Sequence, residues 1–326
     1  AFVPLYARAL EGEGEEAARR FGREALSALV TALLVFTALA EIAMPILMYV
    51  MAPGFVSDPD KFDLTVFLTR IAFPYLALVS LLAFFSGVLN ARGRFAAAAF
   101  APALLNVVLI AVLLIILWMG WADSPTAGVA LTIGTLIGGV AQLALVMVAA
   151  GRAGVVLRLV RPRLTPGVKR LITLGIPGVL AGGIVQINIV VGTMIASLAP
   201  GAVSYLYYAD RLYQLPLGIV GIAIGVVLLP DLSRQLRAGR IDVAEHTQNR
   251  AVEFAMGLTL PAAVALFVMA VPIIDVLFQR GSFTAEDTAA TAAALAAFSI
   301  GLPGFVLVKV FQPGFFARED TRTPMW

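Results

Sequence analysis

Between Gly201 and Pro230 the chain carries only two charged residues, the adjacent pair Asp210 and Arg211, in an apolar run long enough to cross a bilayer. A charge near the bilayer centre costs roughly 2.5 to 3.5 kcal/mol on insertion scales, so each of the two needs a partner or water. Neighbours on a helix point about 100° apart, which leaves this pair poorly placed to neutralise itself. On a projection counted from Ser204, Tyr207 falls at about 300°, Tyr208 at about 40°, Asp210 at about 240°, Arg211 at about 340° and Gln214 at about 280°. These polar groups fill one arc of about 160°, with Leu206, Ala209, Leu212, Pro216 and Leu217 on the other side. A stripe of this kind is expected to line a cavity; the alternative is an ion pair between helices. Pro216 removes a backbone hydrogen bond at similar depth, and Gly218, Gly221 and Gly225 permit close packing or bending.

The elements that must hold this stripe are membrane helices. Charged residues make up 13% of the 326 and hydrophobic ones 60%, against about 25% charged in soluble domains. Mean hydropathy is +0.95. Eight apolar runs can each span a ~30 Å hydrocarbon core, at about 25–51, 66–90, 95–119, 127–150, 170–199, 202–229, 251–277 and 288–314. They are continuously apolar rather than alternating, which excludes a β-barrel and predicts an all-α, polytopic fold. The opening AFVPLYARAL reads as the tail of a helix, and the closing AREDTRTPMW as a polar loop barely ended. The sequence thus reads as an internal stretch, cut inside one helix and just before another.

Lys and Arg separate by side: eighteen of the 23 fall in loops on one side, two (Lys61 and Arg280) on the other, and Arg70, Arg211 and Lys309 lie within spans. The basic side is expected to be cytoplasmic. This asymmetry accounts for the net charge of +3 without nucleic acid, which is not expected as a partner. There is no Cys, the single His246 sits in a charged loop, and no Lys follows a Gly as a phosphate-binding loop needs. No catalytic residue, metal or cofactor is expected.

An internal repeat is present. AFVPLYARALEGEGEEA aligns with VLLPDLSRQLRAGRIDVAEH, placing Pro4 on Pro230, Arg8 on Arg234 and Leu10 on Leu236, 226 residues apart. Independently, SGVLNARGR resembles PGFFAREDTR, placing Gly87 on Gly314 and Arg92 on Arg318 at the same offset to within one residue. Six crossings separate the copies, so both have one orientation, the parallel repeat that some transporters use to set a site between halves.

The stretches YYADRLYQLPLGIVGIAIGVVLLPDLSRQ, NARGRFAAAAFAPALLNVVLI, LFQRGSFTAEDT and VLVKVFQPGFFAREDTRTP resemble signature segments of the MurJ (MviN) lipid II flippases of the MOP exporter superfamily. The resemblance runs essentially end to end. It implies a two-lobe transporter of fourteen helices, of which this chain holds the end of helix 2 through helix 10. Residues 1–150 would be an incomplete N-terminal lobe, 151–169 a basic cytoplasmic linker and 170–326 an incomplete C-terminal lobe. The implied function is translocation of undecaprenyl-pyrophosphate-linked peptidoglycan precursor across the bacterial cytoplasmic membrane by alternating access, with lipid II and the bilayer as partners and cell-wall synthesis proteins as further ones. The family's arginines on its first two helices are absent, so this stretch alone is not expected to transport. Two alternatives stand beside it: export of another polyprenyl-linked glycan, and a non-transporting scaffold for cell-wall enzymes.

The resemblance gives Arg211 the role of a central-cavity arginine, with Asp210 beside it. A guanidinium can bond two pyrophosphate oxygens at once. Asp210 either holds Arg211 or serves as a cation or proton site. Ser204 and Asn106 match polar cavity positions, Tyr208 lies on the projected arc, and Gln214 stands where some family members carry an acid. Asn106 suits an interhelical hydrogen bond as well as substrate contact, and Lys309 suits snorkelling to the interface as well as a cavity role. Arg70, Glu253 and Asp275, near span ends, are expected to snorkel. Glu41 sits mid-span without an assigned role. Gly134 with Gly138, and Gly178 with Gly182, are spaced for close helix approach.

Overall fold

The computed structural model describes residues 2–122 and 124–317; within its helices the side chains at 177–182, 184–185, 221–227, 229 and 316–317 lie outside the description. By packing, the chain divides into two compact units, Ala1–Leu198 and Ala199–Trp326. No strand occurs among the described residues.

The first unit runs through α1 (Phe2–Gly12), α2 (Glu15–Met51), a 3-10 turn (Pro53–Ser57), α3 (Pro59–Ala72), α4 (Tyr75–Asn90), α5 (Ala96–Met119), α6 (Pro125–Arg152) and α7 (Pro166–Ser197). The second holds α8 (Ala202–Arg237), α9 (Ile241–Val268), α10 (Ala270–Phe278) and α11 (Ala285–Ala317). Among the described residues six stretches are long and apolar enough to cross a membrane: Glu15–Met51, Pro59–Asn90, Ala96–Met119, Pro125–Arg152, Ile241–Val268 and Ala285–Phe315. The other two expected spans fall on α7 and α8, which are 32 and 36 residues long. The exposed faces of the long helices carry large apolar side chains, such as Trp118 of α5 at 85% and Ile42 of α2 at 78% exposure, as a lipid-facing surface requires.

Two expected spans are interrupted. The run 66–90 breaks at Phe73–Pro74 between α3 and α4, and 251–277 breaks at Met269 between α9 and α10. A proline accompanies each break: Pro74, or Pro272 in the first turn of α10, lacks the N–H that would continue the ladder.

Within the first unit the loops expected on the basic side converge at one pole. Arg92, just after α4, donates to Glu15 at the start of α2 and to the Tyr6 hydroxyl of α1. Both charges lie outside the spans at 25–51 and 66–90. Burial works against the Arg92 charge, but its hydrogen bonds to Glu15 and Tyr6 outweigh that and raise its pKa; the same Arg92 bond is the main cause that holds the Glu15 carboxyl below the usual carboxylate range. Arg19 donates to the Gly154 carbonyl, and the Val160 N–H to Ser27 Oγ. At the opposite end the Gly54 N–H donates to Ser197 Oγ, joining the turn after α2 to the end of α7. This is the alternation of sides that the charge pattern predicts.

The core of this unit is aromatic near its basic pole, where the Phe2 ring contacts those of Tyr6, Phe21 and Phe84. Farther along, Gly134 and Gly138 admit α5: a Cβ on either would press into Val112 or Leu105. Buried Gln142 adds a polar tie, donating to the Ala101 carbonyl at 2.9 Å and accepting from Tyr75 at 3.4 Å. The second pair, Gly178 and Gly182, lies outside the described side chains.

The repeat reappears in the helix boundaries. α2 begins at Glu15 and α9 at Ile241, α3 at Pro59 and α11 at Ala285, in both cases 226 residues apart. In the second copy α11 is continuous where α3 and α4 are broken, and α9 and α10 are broken where α2 is continuous.

Candidate functional site

Helix α8 packs its inward face into the second unit's core through Ala209, Leu212 and Tyr213, against residues such as Ala255, Leu295 and Leu302 of α9 and α11. That leaves Ser204, Tyr207, Arg211 and Gln214 exposed, at spacings of three and four residues, as one polar stripe; Asp210 is half-buried at its edge. Asp210 and Arg211 do not pair with each other. Arg211 Nη2 donates to Tyr207 Oη at 3.1 Å, one turn back, with Cζ 4.7 Å from the Tyr207 ring centroid. Gln214 Nε2 donates to Asp210 Oδ2, one turn forward. Each charge has therefore turned to a neutral neighbour four residues away. Among the described residues no carboxylate lies within ion-pair distance of Arg211.

The consequence is a guanidinium with its charge uncompensated and most of its five donors free, held by a tyrosine that supplies both a hydroxyl and a ring face. Such a group can take an oxyanion in bidentate fashion. The Asp210 carboxylate, held by Gln214, is kept from quenching it.

Tyr208 leaves the stripe. Its ring lies 5.0 Å from that of Phe278 and 5.5 Å from that of Phe283, so it anchors α8 to the end of α10 and the loop beyond. Tyr207, which the projection placed on the arc but the family motif did not single out, is the direct partner of Arg211. Lys309 is exposed on α11 without an ion pair, and Asn106 is exposed on α5, in the first unit, without a hydrogen-bond partner among the described residues. Among the described residues Glu41 Oε1 is buried without a hydrogen-bond partner, as is Thr37 Oγ1 one turn before it. Arg70 is exposed in the last turn of α3, whereas Glu253 is exposed mid-way along α9 and pairs with Arg250 one turn back at 3.5 Å.

The sequence model of one family, described as Lipid II flippase MurJ, matches residues 1–326. The chain belongs to the MurJ lipid II flippase family. It is 52% identical over 326 residues to a probable lipid II flippase MurJ of Rhizobium meliloti (strain 1021), covering 100% of this chain and 61% of that protein. A lipid II flippase MurJ of Burkholderia cenocepacia is 34% identical over 337 residues, with 63% of its length covered. The chain thus spans about three fifths of the curated relatives it matches. In fold it is similar to a lipid II flippase MurJ solved in an inward closed conformation, with a TM-score of 0.84, 23% identity, and coverage of 99% of this chain and 65% of that one. It is also similar to an inward-facing multidrug resistance transporter of the MATE family, MOP superfamily, with a TM-score of 0.74, 15% identity, and coverage of 99% and 72%. Family membership and the apolar helices make this a multi-pass protein of the bacterial inner membrane, with an all-α fold like that of the MurJ and MATE structures.

Proposed function

We propose that the protein of which this chain forms part moves a lipid-linked, pyrophosphate-bearing peptidoglycan precursor across the cytoplasmic membrane, and that Arg211 binds the pyrophosphate. The supporting observation is the exposed Arg211 guanidinium, held by Tyr207 and free of any carboxylate within ion-pair distance among the described residues. In a cavity of low dielectric such a group attracts a phosphate strongly, and the planar fork bonds two oxygens. Gln214 and Asp210 set the local charge balance, and Ser204, one turn before Tyr207, extends the hydrogen-bonding stripe. Lys309, on α11 of the same unit, is assigned to the same site, and Asn106, on α5 of the first unit, is proposed as a further polar contact for the substrate. The work on the substrate is binding and reorientation, with no bond made or broken.

On this reading the 226-residue register divides the chain into lobes at 1–150 and 170–326 joined by the basic linker 151–169. Helix α7 opens the second lobe by register, although it packs with the first unit. Rocking of the lobes would expose the site to either side in turn. Cell-wall synthesis enzymes are proposed as partners on the cytoplasmic face.

The test is a flipping assay on the full-length protein in proteoliposomes, run with lipid II and with a polyprenyl-linked glycan lacking the peptide. Transport of lipid II, lost when Arg211 is replaced, is the expected result. Transport of the peptide-free glycan alone would overturn the substrate assignment, and no transport of either would overturn the function.

A further inference from the structure

The segment 153–165 between α6 and α7 has no helix or strand, yet it is fastened to the basic end of α2. Val155 is buried and Leu157 packs against the first unit's core. The Val160 N–H donates to Ser27 Oγ at 2.9 Å, Arg19 Nη2 to the Gly154 carbonyl at 3.1 Å, and Thr165 Oγ1 to Glu24 Oε2 at 2.8 Å. These ties fix where the arginines of VVLRLVRPRL stand. Arg161 and Arg163 are brought to Arg20 and Arg23 of α2 around a cleft of about 400 Å³, which Glu24 and Val160 complete.

Four arginines line this cleft with one acidic residue, Glu24, whose carboxylate already accepts the Thr165 hydroxyl. Among the described residues none of the four arginines makes an ion pair or a side-chain hydrogen bond. Nearby, Arg19 and Arg92 both find Glu15, so acids are at hand on this pole and these four have not taken them. Like charges gathered around one cavity repel, and an anion bound among them relieves that repulsion.

A second feature says which anion. On the same segment Val156, Leu159 and Leu164 are 63%, 62% and 66% exposed, interleaved with the arginines. Exposed large aliphatics beside guanidinium groups suit the boundary between acyl chains and headgroups. The cleft sits at that depth, since the apolar run of α2 begins at about residue 25, one turn beyond Arg20. The basic side of the bilayer is the cytoplasmic one, where anionic lipids attract such clusters.

We propose that the cleft formed by Arg20, Arg23, Arg161 and Arg163 binds the phosphate of an anionic phospholipid of the cytoplasmic leaflet, with Leu159 and Leu164 against its acyl chains. This site is separate from the Arg211 stripe and does not depend on the transported substrate. Lipid bound here bridges α2 to the segment leading into α7.

The test uses the full-length protein in detergent, titrated with phosphatidylglycerol, with phosphatidylethanolamine of the same acyl chains and with inorganic phosphate, reading bound lipid by native mass spectrometry and melting temperature in parallel. Phosphatidylglycerol should bind and raise the melting temperature, and phosphatidylethanolamine should not. At about 1 kcal/mol per basic residue near an anionic surface, R161Q/R163Q should weaken phosphatidylglycerol binding about thirtyfold, and R20Q/R23Q on α2 similarly. R237Q/R240Q, which removes two charges from the basic end of the other unit, should change it less than threefold. Since the cleft arginines hold nothing in the unliganded protein and repel one another, the lipid-free melting temperatures should not fall. Unchanged binding in both cleft variants, or equal loss in R237Q/R240Q, overturns the site. Inorganic phosphate binding as tightly as the lipid, with L159S/L164S silent, overturns the lipid as occupant.

Discussion

Replacement of Arg211 tests the role of the α8 stripe, and its expected size follows from the geometry. A bidentate contact to pyrophosphate contributes two charge-assisted hydrogen bonds of about 1.5 to 3 kcal/mol each. The side chain is exposed, so the lower end applies, and Arg211→Ala removes about 3 kcal/mol, or roughly a hundredfold in transport rate at subsaturating substrate. Arg211→Lys keeps the charge but loses the fork and one of the two bonds, for about a tenfold loss. Tyr207→Phe keeps the ring face 4.7 Å from Arg211 and removes the hydroxyl that accepts at 3.1 Å. That is about 0.5 to 1.5 kcal/mol of positioning, two- to tenfold. Lipid II flipping by reconstituted full-length protein measures all three, with membrane abundance and melting temperature as folding controls. The order Ala, Lys, Phe from most to least impaired is the expected outcome. Wild-type flipping by Arg211→Ala, or full activity of Arg211→Lys, would show that the guanidinium does not hold the substrate.

Three further outcomes follow from the first unit and from the charge pattern. Cysteines placed singly at Ser57, Ala122 and Ser282 of this Cys-free chain should react with an impermeant thiol reagent from outside, and cysteines at Arg94, Leu164 and Ala238 should not; Gly93 and Gly239 are avoided because both hold φ of +71°. Gly138→Val presses into Leu105 and should lower the melting temperature through about 1 to 3 kcal/mol of overpacking, whereas Gly151→Ala, with open space around it, should not. Because the Glu15 carboxyl is held below its ordinary pKa by Arg92, the Glu15–Arg92 contribution is fully present above the unfolded carboxylate value and is lost as pH falls through the lowered folded one. Melting temperatures of wild type and Glu15→Gln, measured from pH 7 to pH 3, should converge at the acid end.

Much of this fold was legible because the membrane constrains it so tightly: apolar runs gave the helices, and arginine placement gave the pole at which 12–15, 91–95 and 153–165 meet. The breaks at Pro74 and Pro272 were legible as prolines but not as breaks, since Pro45 and Pro102 lie inside continuous helices with the same local signal. What differs is the packing around each, which a single sequence does not carry. At the site, periodicity correctly separated Ala209 and Leu212 from Arg211 and Gln214. It misplaced Tyr208, because a tyrosine satisfies a polar arc and an aromatic cluster equally well, and Phe278 and Phe283 stand some seventy residues away. The clamped segment 153–165 was legible only as a basic linker; its ties run through Ser27 and Glu24, short polar side chains without a distinctive pattern.

The repeat makes a sharper demand at the opposite pole. Asp58 caps α3, accepting from the Lys61 N–H at 3.1 Å, and Thr284, 226 residues later, stands at the same place before α11. There the cap is reciprocal: Thr284 Oγ1 accepts from the Asp287 N–H, and Asp287 Oδ2 accepts from the Thr284 N–H and hydroxyl. Asp287 also accepts from the Tyr205 hydroxyl at 2.8 Å, tying α11 to the start of α8. In the first copy the position of Asp287 is taken by Lys61, whose ammonium lies over the Phe55 ring 4.1 Å away, so the Asp58 cap meets no second carboxylate there. Thr284→Ala should cost about 1 kcal/mol, the ordinary value of a lost cap. Thr284→Asp should also destabilise, despite Asp being a good cap, because it sets a second carboxylate against Asp287. Asp287→Lys should destabilise by removing both the reciprocal bond and the acceptor for Tyr205. Combined as T284D/D287K, the two substitutions rebuild the first copy's pair, and the double variant should melt above the sum of the single losses, though still below wild type because Tyr205 remains unpartnered. Melting temperatures of the four proteins close the cycle. Strict additivity would mean that the caps act independently and that the register shared by α3 and α11 carries no pairing constraint.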